Sequence, residues 1–421
     1  MIDIDLPREW LWALRWALFL GPLAAVLVLG ARHRHEPRVI VAGLFAFLYG
    51  FAMIFATHQL AIAAGWWRYG GDVLMVMGLP ADIWIGGAIL FGPVMAFVFP
   101  TIPPVYLLLP IIIGLHGIVF SSLDPLVMAG PLWFAGVVLV FLVAHLPAIH
   151  LARWTARGER LAWRAVLLAL GYGFLAFYML PSVIMLAMGG SWNLGARPLW
   201  LVLAGLPVLA ASFVLGLSAV QMFVVHGEGT PIPLDPTKCL VRSGLFAYLV
   251  NPMQLSCAFS WIMIGVIIGN VWVASAAVMA WVFVAGMVRW HHRYDLLQRF
   301  PEDWPTYRAN VPEWLPRWRP WVPEAARLAY DPGQTWQAAF ARWLQRRDPV
   351  GLILAAKPGT PLIYRDPSEA RDFTAAAAIG KALGHINFAF ALMGATVLLV
   401  VLPLRHLRGV EASEPQGEPV T

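Results

Sequence analysis

Charged residues are scarce in this chain of 421 residues, because only 12% are Asp, Glu, Lys or Arg while 60% are hydrophobic. A soluble domain usually carries about a quarter charged residues. A soluble fold could not keep so much apolar surface away from water. The composition and a mean hydropathy of +0.71 exclude an ordinary soluble domain and predict a polytopic membrane protein.

Cysteine is also rare, and the motifs of hydrolytic or nucleotide chemistry are missing from the first half of the chain. Cys239 and Cys257 have neither CxxC nor metal-ligand spacing, so they indicate ordinary small residues with no metal site and no redox pair. The first half contains no Gly-rich phosphate loop and no HExxH or GxSxG motif. Residues 1–198 therefore form either a substrate chamber or an independent module, and both interpretations stay open.

The excess of basic residues, a formal net charge of +6, would suggest a nucleic-acid partner in a soluble protein. Here the arginines gather in short loops such as "ARHRHEPR" and "ARWTARGERLAWR", as the positive-inside rule expects for cytoplasmic loops. We therefore predict a membrane as the partner, and no nucleic acid. The expected location is the bacterial inner (cytoplasmic) membrane, which the chain crosses several times.

Long apolar windows define the predicted spans, since a helix needs about 20 apolar residues to cross the hydrocarbon of a bilayer. The third and fourth windows are joined by "FPTIPP" and alternatively form one re-entrant hairpin. The eighth and ninth are separated only by Gly269 and Asn270, which predicts a helical hairpin. We expect an all-α polytopic fold with about 10 transmembrane helices. The windows fall near residues 11–30, 38–57, 83–100, 101–120, 131–151, 165–188, 199–225, 253–268, 271–289 and 386–404.

Polar and aromatic residues in the first half have simple interpretations. Asp82 lies at the mouth of a span, where it either caps the helix or binds a polar headgroup. His116 lies within the fourth window and is expected to be a buried, hydrogen-bonded histidine. Trp66, Trp67 and Tyr69 are typical of an aromatic belt at the membrane surface.

The segment before the last span has a different composition. "QTWQAAFARWLQRR" places Trp336, Phe340, Trp343 and Leu344 on one face, which predicts an amphipathic helix lying at the membrane interface. "GLILAAKPGTPLIYRD" predicts two strands around a Pro-Gly turn, and "DFTAAAAIGKALGHI" predicts a helix. We expect a small cytoplasmic α+β (ββα) insertion before the last helix. It is faintly similar to the tail of a thiol-disulfide oxidoreductase family with a DCC motif, but no cysteine pair supports redox chemistry here.

Two polar segments flank the predicted hairpin. The first is "GTPIPLDPTKCLVRSGLFAYLVNPMQ" and the second is "DLLQRFPEDWPTYRANVPEWLPR". Together they resemble the isoprenylcysteine carboxyl methyltransferase-like family, which also includes phospholipid methyltransferases. That family shows a Gly-Thr-Pro approach, a (His/Asn)-Pro-Met step, a helical hairpin, a tyrosine and a Val-Pro-x-Trp-x-Pro ending. The resemblance covers residues 229–316, roughly a fifth of the chain.

The resemblance implies methyl transfer from S-adenosylmethionine to a lipid or another membrane-dissolved acceptor. In the family, the two polar segments close over the cofactor at the cytoplasmic face. Methyl transfer is an in-line displacement from a sulfonium that consumes charge, so positioning and fixed dipoles in a dry site favour it. We therefore expect S-adenosylmethionine as cofactor, a hydrophobic small molecule as substrate, and no metal.

Carried over residue by residue, the resemblance implies seven site residues, and two more candidates lie near its acidic-pair position: His292, which alternatively packs at the interface or contacts lipid, and Asp295, the nearest acid. Asn251 alternatively caps the helix that begins at Pro252. Tyr307 and Arg308 alternatively anchor the chain at the membrane surface. The expected cofactor-binding residues are Gly244, Tyr248, Asn251, Pro252, Met253 and Tyr307, and the expected catalytic residues are His292, Asp295 and Arg308.

The chain departs from the family at positions that usually hold the charged end of the cofactor. Val250 stands for the family arginine, Gln254 stands for a tyrosine, and His292 and Arg293 stand for an acidic pair. The alternative hypothesis is therefore a degenerate, non-enzymatic relative that serves as a membrane scaffold or as a lipid or small-solute carrier.

The predicted organisation has four parts. They are residues 1–198, a multi-span region of unknown role; 199–321, a methyltransferase-like core with the hairpin; 322–385, an interfacial helix with the ββα unit; and 386–421, the final transmembrane helix and tail.

Overall fold

The computed structural model describes residues 7–30, 36–70, 73–114, 126–230, 237–369 and 371–407, and these are mostly helical. The predictions for His116 and for residues 231–236 of the first polar segment lie outside the described residues. Five helices are long and apolar enough to cross a membrane: Pro37–Ala63, Trp133–Arg157, Leu161–Met188, Leu199–Val225 and Val271–Arg299. Five shorter apolar helices are Arg15–Val28, Ala81–Phe97, Pro104–Gly114, Pro252–Ile268 and Phe388–Leu402.

The class of fold is thus confirmed as a helical membrane protein with small sheets. Each predicted window overlaps one of the apolar helices, whereas a full crossing by each of the five shorter ones stays a prediction. The chain is built of two compact units, Met1–Pro181 and Ser182–Thr421. The predicted boundary at residue 198 falls inside the second unit.

The first unit is built around the helix Pro37–Ala63, whose Ile54 and Phe55 are buried in an apolar core with Trp84 and Phe91. Two small antiparallel sheets complete this unit. Strand β1 (Trp67–Tyr69) pairs with β4 (Val127–Ala129), and β2 (Met75–Val76) pairs with β3 (Leu79–Pro80).

Asp82 and the expected aromatic belt have different environments from those predicted. Asp82 makes no capping bond in its helix; its carboxylate instead accepts hydrogen bonds from Arg15, Nη2 lying 2.9 Å from Oδ1. Trp67 is buried, and its ring packs edge-to-face with that of His58, the two centroids lying 5.5 Å apart. The belt assignment is therefore wrong for Trp67, because the strand pair β1–β4 turns this indole into the core rather than towards lipid.

In the second unit, the hairpin is confirmed, and its two linking residues explain it. Gly269 ends the helix Pro252–Ile268 at φ +66°, a left-handed conformation that glycine adopts easily. Asn270 then caps the next helix, because its side-chain oxygen accepts hydrogen bonds from Trp272 N and Val273 N at 3.0 and 3.1 Å.

A four-stranded sheet lies between the hairpin region and the last helix in sequence. Its order is β6-β5-β7-β8, with β5 parallel to β6 and the other pairs antiparallel. The two predicted strands exist, but β5 lies between them, so they do not pair with each other. The predicted ββα unit is corrected to a larger sheet whose strands are β5 (Ala326–Tyr330), β6 (Leu352–Ala356), β7 (Ile363–Arg365) and β8 (Phe373–Thr374).

The helix Thr335–Gln345 connects β5 to β6, and the prediction that it lies on the membrane is corrected. Leu344 is fully buried in the core of the sheet, and Phe340 and Trp343 pack against that core. Only Trp336 of the predicted apolar face is exposed. The four-stranded sheet, of which the sequence predicts only two strands, covers the helix face that the amphipathic pattern assigns to lipid. The remaining helices of this unit are Asp303–Asn310, Ala376–Leu383 and Phe388–Leu407.

The hairpin gives a prediction about helix packing. A Cβ placed on Gly265 would lie 2.4 Å from Ala274 N, whereas one on Gly286 would meet nothing within 4 Å. We expect Gly265→Ala to lower the free energy of unfolding by about 1–3 kcal/mol through overpacking. Gly286→Ala is the control and should be neutral or slightly stabilising, since alanine favours a helix. Thermal unfolding in nanodiscs measures both, and equal midpoints for the two variants would contradict this packing.

Candidate functional site

The two polar segments that flank the hairpin lie together in the structure. The segment after the hairpin runs back alongside the short helical turn Gly244–Ala247. It forms hydrogen bonds with this turn and with the residues that follow the turn. Val250 N donates to the Pro312 carbonyl at 3.0 Å, Arg317 N donates to the Tyr248 carbonyl at 3.0 Å, and Trp321 N donates to the Ala247 carbonyl at 2.9 Å. Residues far apart in sequence are thereby held on one wall.

Side-chain packing strengthens this junction. The Tyr307 hydroxyl donates to the Phe246 carbonyl at 2.8 Å, and the Tyr307 ring packs against Trp304 and Trp321. Burial raises the pKa of Tyr307, so its hydroxyl stays a neutral donor. Tyr307 thus fastens the second segment onto the first, rather than anchoring the chain at a membrane surface.

A cavity of about 120 Å³ opens beside this junction, and we call it the Asn251 cavity. Four of the predicted site residues line it: Asn251, Met253, His292 and Tyr307. The other lining residues are Phe223, Thr230, Thr237, Leu240, Val241, Phe246, Val250, Gln254, Phe283, Val288, His291, Leu296 and Trp304. Both polar segments and the second hairpin helix contribute to its wall.

Asn251 is the polar residue of this cavity whose hydrogen bonding is incomplete. It is 3% exposed, and its Nδ2 has no hydrogen-bond partner among the described residues. It stands at the cap position of the helix Pro252–Ile268, yet its side chain makes no capping bond. A buried polar group without a partner costs about 1–3 kcal/mol. Capping therefore does not explain why a polar side chain occupies this position.

Gly244 and Tyr248 lie away from the Asn251 cavity. Gly244 has φ +58°, and a Cβ there would lie 2.6 Å from the Met222 sulfur, so this position needs glycine for packing. The Tyr248 hydroxyl donates to the Gly384 carbonyl at 2.9 Å inside a fully buried cluster. Burial raises the pKa of Tyr248 and keeps it neutral. Pro252 is buried as the first residue of its helix. These three residues shape the backbone around the cavity.

The two expected catalytic residues with permanent charge are engaged in ion pairs. Asp295 binds Arg299, with Oδ2 3.0 Å from Nη1, and lies 3.6 Å from His291 Nε2. Arg308 binds Glu313, with Nη2 2.7 Å from Oε1. Neither Asp295 nor Arg308 lines the Asn251 cavity. His292 does line it, and its ring centroid lies 4.6 Å from that of Trp304.

The cavity is electrically neutral over the part of its wall that the structure describes. None of the described lining residues is Asp, Glu, Lys or Arg, and Val250 lines the wall at the position where the resembled family has an arginine. The titratable side chains of this described wall are His291, His292 and Tyr307, and burial keeps Tyr307 neutral by raising its pKa. Such a cavity suits a flat, largely apolar group with a polar edge, because aromatic rings can pack on its faces while an amide reaches its edge.

Thirteen of the described lining residues were not among the predicted site residues, and Trp304 and Phe283 are two aromatic examples. Trp304 precedes Tyr307 by three positions on one helix, and this spacing places both rings on the same face. That spacing is visible in "DWPTY" and could have identified Trp304. Phe283 lies on the second hairpin helix within an unbroken apolar run, where no pattern distinguishes it from its neighbours.

The comparisons with known proteins give no relative. No family model, no curated protein and no solved structure matches this chain. The resemblance drawn from the polar segments therefore stays a prediction.

The two cap-position asparagines of the hairpin give a matched pair of variants. Asn270→Leu removes a side chain that bonds two helix N–H groups and should lower the free energy of unfolding by about 1–2 kcal/mol. Asn251→Leu removes an unpaired buried amide and should leave the ligand-free protein equally stable or more stable. Chemical unfolding in detergent micelles measures both. A large loss of stability in Asn251→Leu would show that Asn251 serves the fold.

Proposed function

We propose that this protein is an integral membrane methyltransferase that uses S-adenosylmethionine and acts on a lipid or another membrane-dissolved acceptor. The observation that supports the proposal most is the unpaired, buried amide of Asn251 in a cavity to which both polar segments contribute. A buried polar atom without a partner is unusual in a native fold and favours a ligand that satisfies it. The sequence resemblance and the position of Asn251 thus support the same site.

The described wall fits one part of this cofactor well. The Asn251 amide would meet the polar edge of the adenine ring, and Trp304, Tyr307 and Phe283 would pack on its faces. When bound, S-adenosylmethionine supplies a methyl group activated on a sulfonium. The apolar wall would exclude water from the reacting atoms, and the ring nitrogens of His292 could accept a proton from the acceptor.

The membrane arrangement belongs to the same proposal. We place the Asn251 cavity at the cytoplasmic face of a bacterial inner membrane, in a chain with about 10 spans. Two loops, "ARHRHEPR" and "ARWTARGERLAWR", support this placement because their arginines are typical of cytoplasmic loops. If every predicted window crosses the membrane, these loops lie on the same side of it as the two polar segments. A water-soluble cofactor and a membrane-dissolved substrate can meet only at such an interface.

The neutral wall favours a second candidate, the non-enzymatic relative that acts as a scaffold or carrier. The charged amino and carboxylate groups of S-adenosylmethionine would find no charged partner among the described lining residues. Under this alternative the Asn251 cavity holds a neutral lipid or small solute. The two candidates differ in one measurable property, the binding of S-adenosylmethionine.

Equilibrium binding of S-adenosylmethionine to the full chain in nanodiscs tests the proposal. We expect saturable binding that Asn251→Ala weakens about tenfold, because one hydrogen bond contributes about 0.5–1.5 kcal/mol. The matched control is Asn310→Ala, since the exposed Asn310 amide only bonds the Thr306 carbonyl. Binding to the control should equal that of the unchanged chain.

The contrary outcomes are distinct. If no binding occurs up to millimolar cofactor, the carrier or scaffold alternative is favoured. If binding occurs but Asn251→Ala and Asn310→Ala behave alike, the cofactor does not use the Asn251 cavity.

A further inference from the structure

A second cavity, of about 60 Å³, lies in the same compact unit, and we call it the Glu369 cavity. The turn Gly244–Ala247 contributes to both cavities: Gly244, Leu245 and Ala247 line the Glu369 cavity, while Phe246 lines the Asn251 cavity. Its remaining wall comes from the helix Leu199–Val225, the sheet, the helix Ala376–Leu383 and the last helix. The proposed methyltransferase function does not use this cavity.

A buried carboxylate, that of Glu369, lines this cavity, and only one of its two oxygens has hydrogen-bond partners among the described residues. The Glu369 side chain is 1% exposed. Its Oε1 accepts hydrogen bonds from Lys381 Nζ at 2.8 Å and from Ser243 Oγ at 2.9 Å. Its Oε2 has no partner among the described residues, although that oxygen is buried. Burial raises the pKa of Glu369, and Lys381 opposes this only in part.

Lys381 does not supply the missing partner, because its ammonium bonds the other carboxylate oxygen, Oε1, and also faces the Phe373 ring at 4.6 Å from the ring centroid. Besides Glu369 Oε1, Lys381 Nζ lies 2.7 Å from His226 Nε2, which must accept this hydrogen bond. His226 is then a neutral imidazole, and burial together with the Lys381 charge lowers its pKa. This buried cluster therefore balances one Lys381 charge against one Glu369 charge and leaves Oε2 open.

The turn that carries Glu369 adds a further carboxylate, Asp366, whose backbone carbonyl accepts a hydrogen bond from Glu369 N at 3.0 Å. Asp366 Oδ1 accepts hydrogen bonds from Ser368 N and Oγ, and Oδ2 accepts one from the Tyr364 hydroxyl. The wall contains three carboxylates and two cations, so it has an excess of negative charge. The carboxylates are Glu324, Asp366 and Glu369, and the cations are Arg242 and Lys381. An anion would be repelled here, while a cationic donor would be attracted.

The remaining wall is mostly apolar and narrow. Ala391, Ala395 and Leu398 of the last helix face the cavity together with Met222. Ser218 Oγ, also in this wall, is buried and has no partner among the described residues. A ligand that fits must therefore combine a cationic hydrogen-bond donor with a short aliphatic body. A primary alkylammonium group has these properties, and a bulky quaternary ammonium offers no N–H donor.

We propose that the Glu369 cavity binds a primary alkylammonium group, whose N–H donates to Glu369 Oε2 while its carbon chain packs against Ala391 and Ala395. The group could come from a soluble amine or from the headgroup of an aminolipid, and the two sources share this chemistry.

The test titrates n-butylamine into the full chain in phosphatidylcholine nanodiscs, followed by saturation-transfer NMR. Two variants remove the site in different ways: Glu369→Gln removes the charge, and Ala395→Leu fills the cavity without changing any charge. Ala389→Leu is the matched control, because Ala389 is exposed on the same helix. We expect saturable binding that is at least about tenfold weaker in both site variants and unchanged in the control.

Several outcomes would overturn the proposal. The first is that n-butanol or butyrate binds as tightly as n-butylamine. The second is that n-butylamine still binds to Ala395→Leu. The third is that no saturable binding occurs, in which case ordered water fills the cavity. If Glu369→Gln fails to fold, Ala395→Leu still decides. Nanodiscs containing phosphatidylethanolamine then distinguish the sources: displacement of butylamine identifies a lipid headgroup, and undiminished butylamine binding identifies a soluble amine.

Discussion

The bonds between the turn before the hairpin and the segment after it determine the rest of the second unit. The Tyr307 hydroxyl donates to the Phe246 carbonyl, and the backbone N–H groups of Val250, Arg317 and Trp321 donate to the carbonyls of Pro312, Tyr248 and Ala247, respectively. Each such bond contributes only about 0.5–1.5 kcal/mol, but leaving a buried partner unpaired costs about 1–3 kcal/mol. Opening this junction would therefore leave several buried groups unpaired at once. Residues of the junction line both cavities, so the shape of both walls depends on it.

The two cavities differ in electrostatic character although they share the turn Gly244–Ala247. The Asn251 cavity is aromatic and neutral over its described wall, with one unpaired amide nitrogen. The Glu369 cavity has a negative wall with an unpaired carboxylate oxygen. The unpartnered atom of the first is an amide donor and that of the Glu369 side chain in the second is an acceptor, so the two proposed ligands differ in hydrogen-bonding type.

The sequence predicted those features that depend on local chemistry. Apolar windows identified the helices, and Gly269 with Asn270 identified the hairpin, because a left-handed residue and a cap are local requirements. The amphipathic pattern of Thr335–Gln345 was also correct, but it could not tell whether lipid or protein covers the apolar face. Strand β8 escaped prediction because it has only two residues, and β5 escaped because its pairing partners lie far away in sequence.

The candidate site was predictable only as a region. Asn251 and Tyr307, which the motif assigns to one site, both line the Asn251 cavity, but the motif could not show that the Tyr248 hydroxyl bonds the Gly384 carbonyl instead. The Glu369 cavity had no motif at all, because Ser218, Glu369 and Lys381 meet only through the fold.

The central claim is that S-adenosylmethionine occupies the Asn251 cavity, and ultraviolet cross-linking of the labelled cofactor to the full chain tests it most directly. Digestion and mass spectrometry then locate the label. We predict labelled peptides from residues 237–254 or 283–307, which line the cavity. Labelling confined to other parts of the chain, or no labelling at saturating cofactor, would contradict the account.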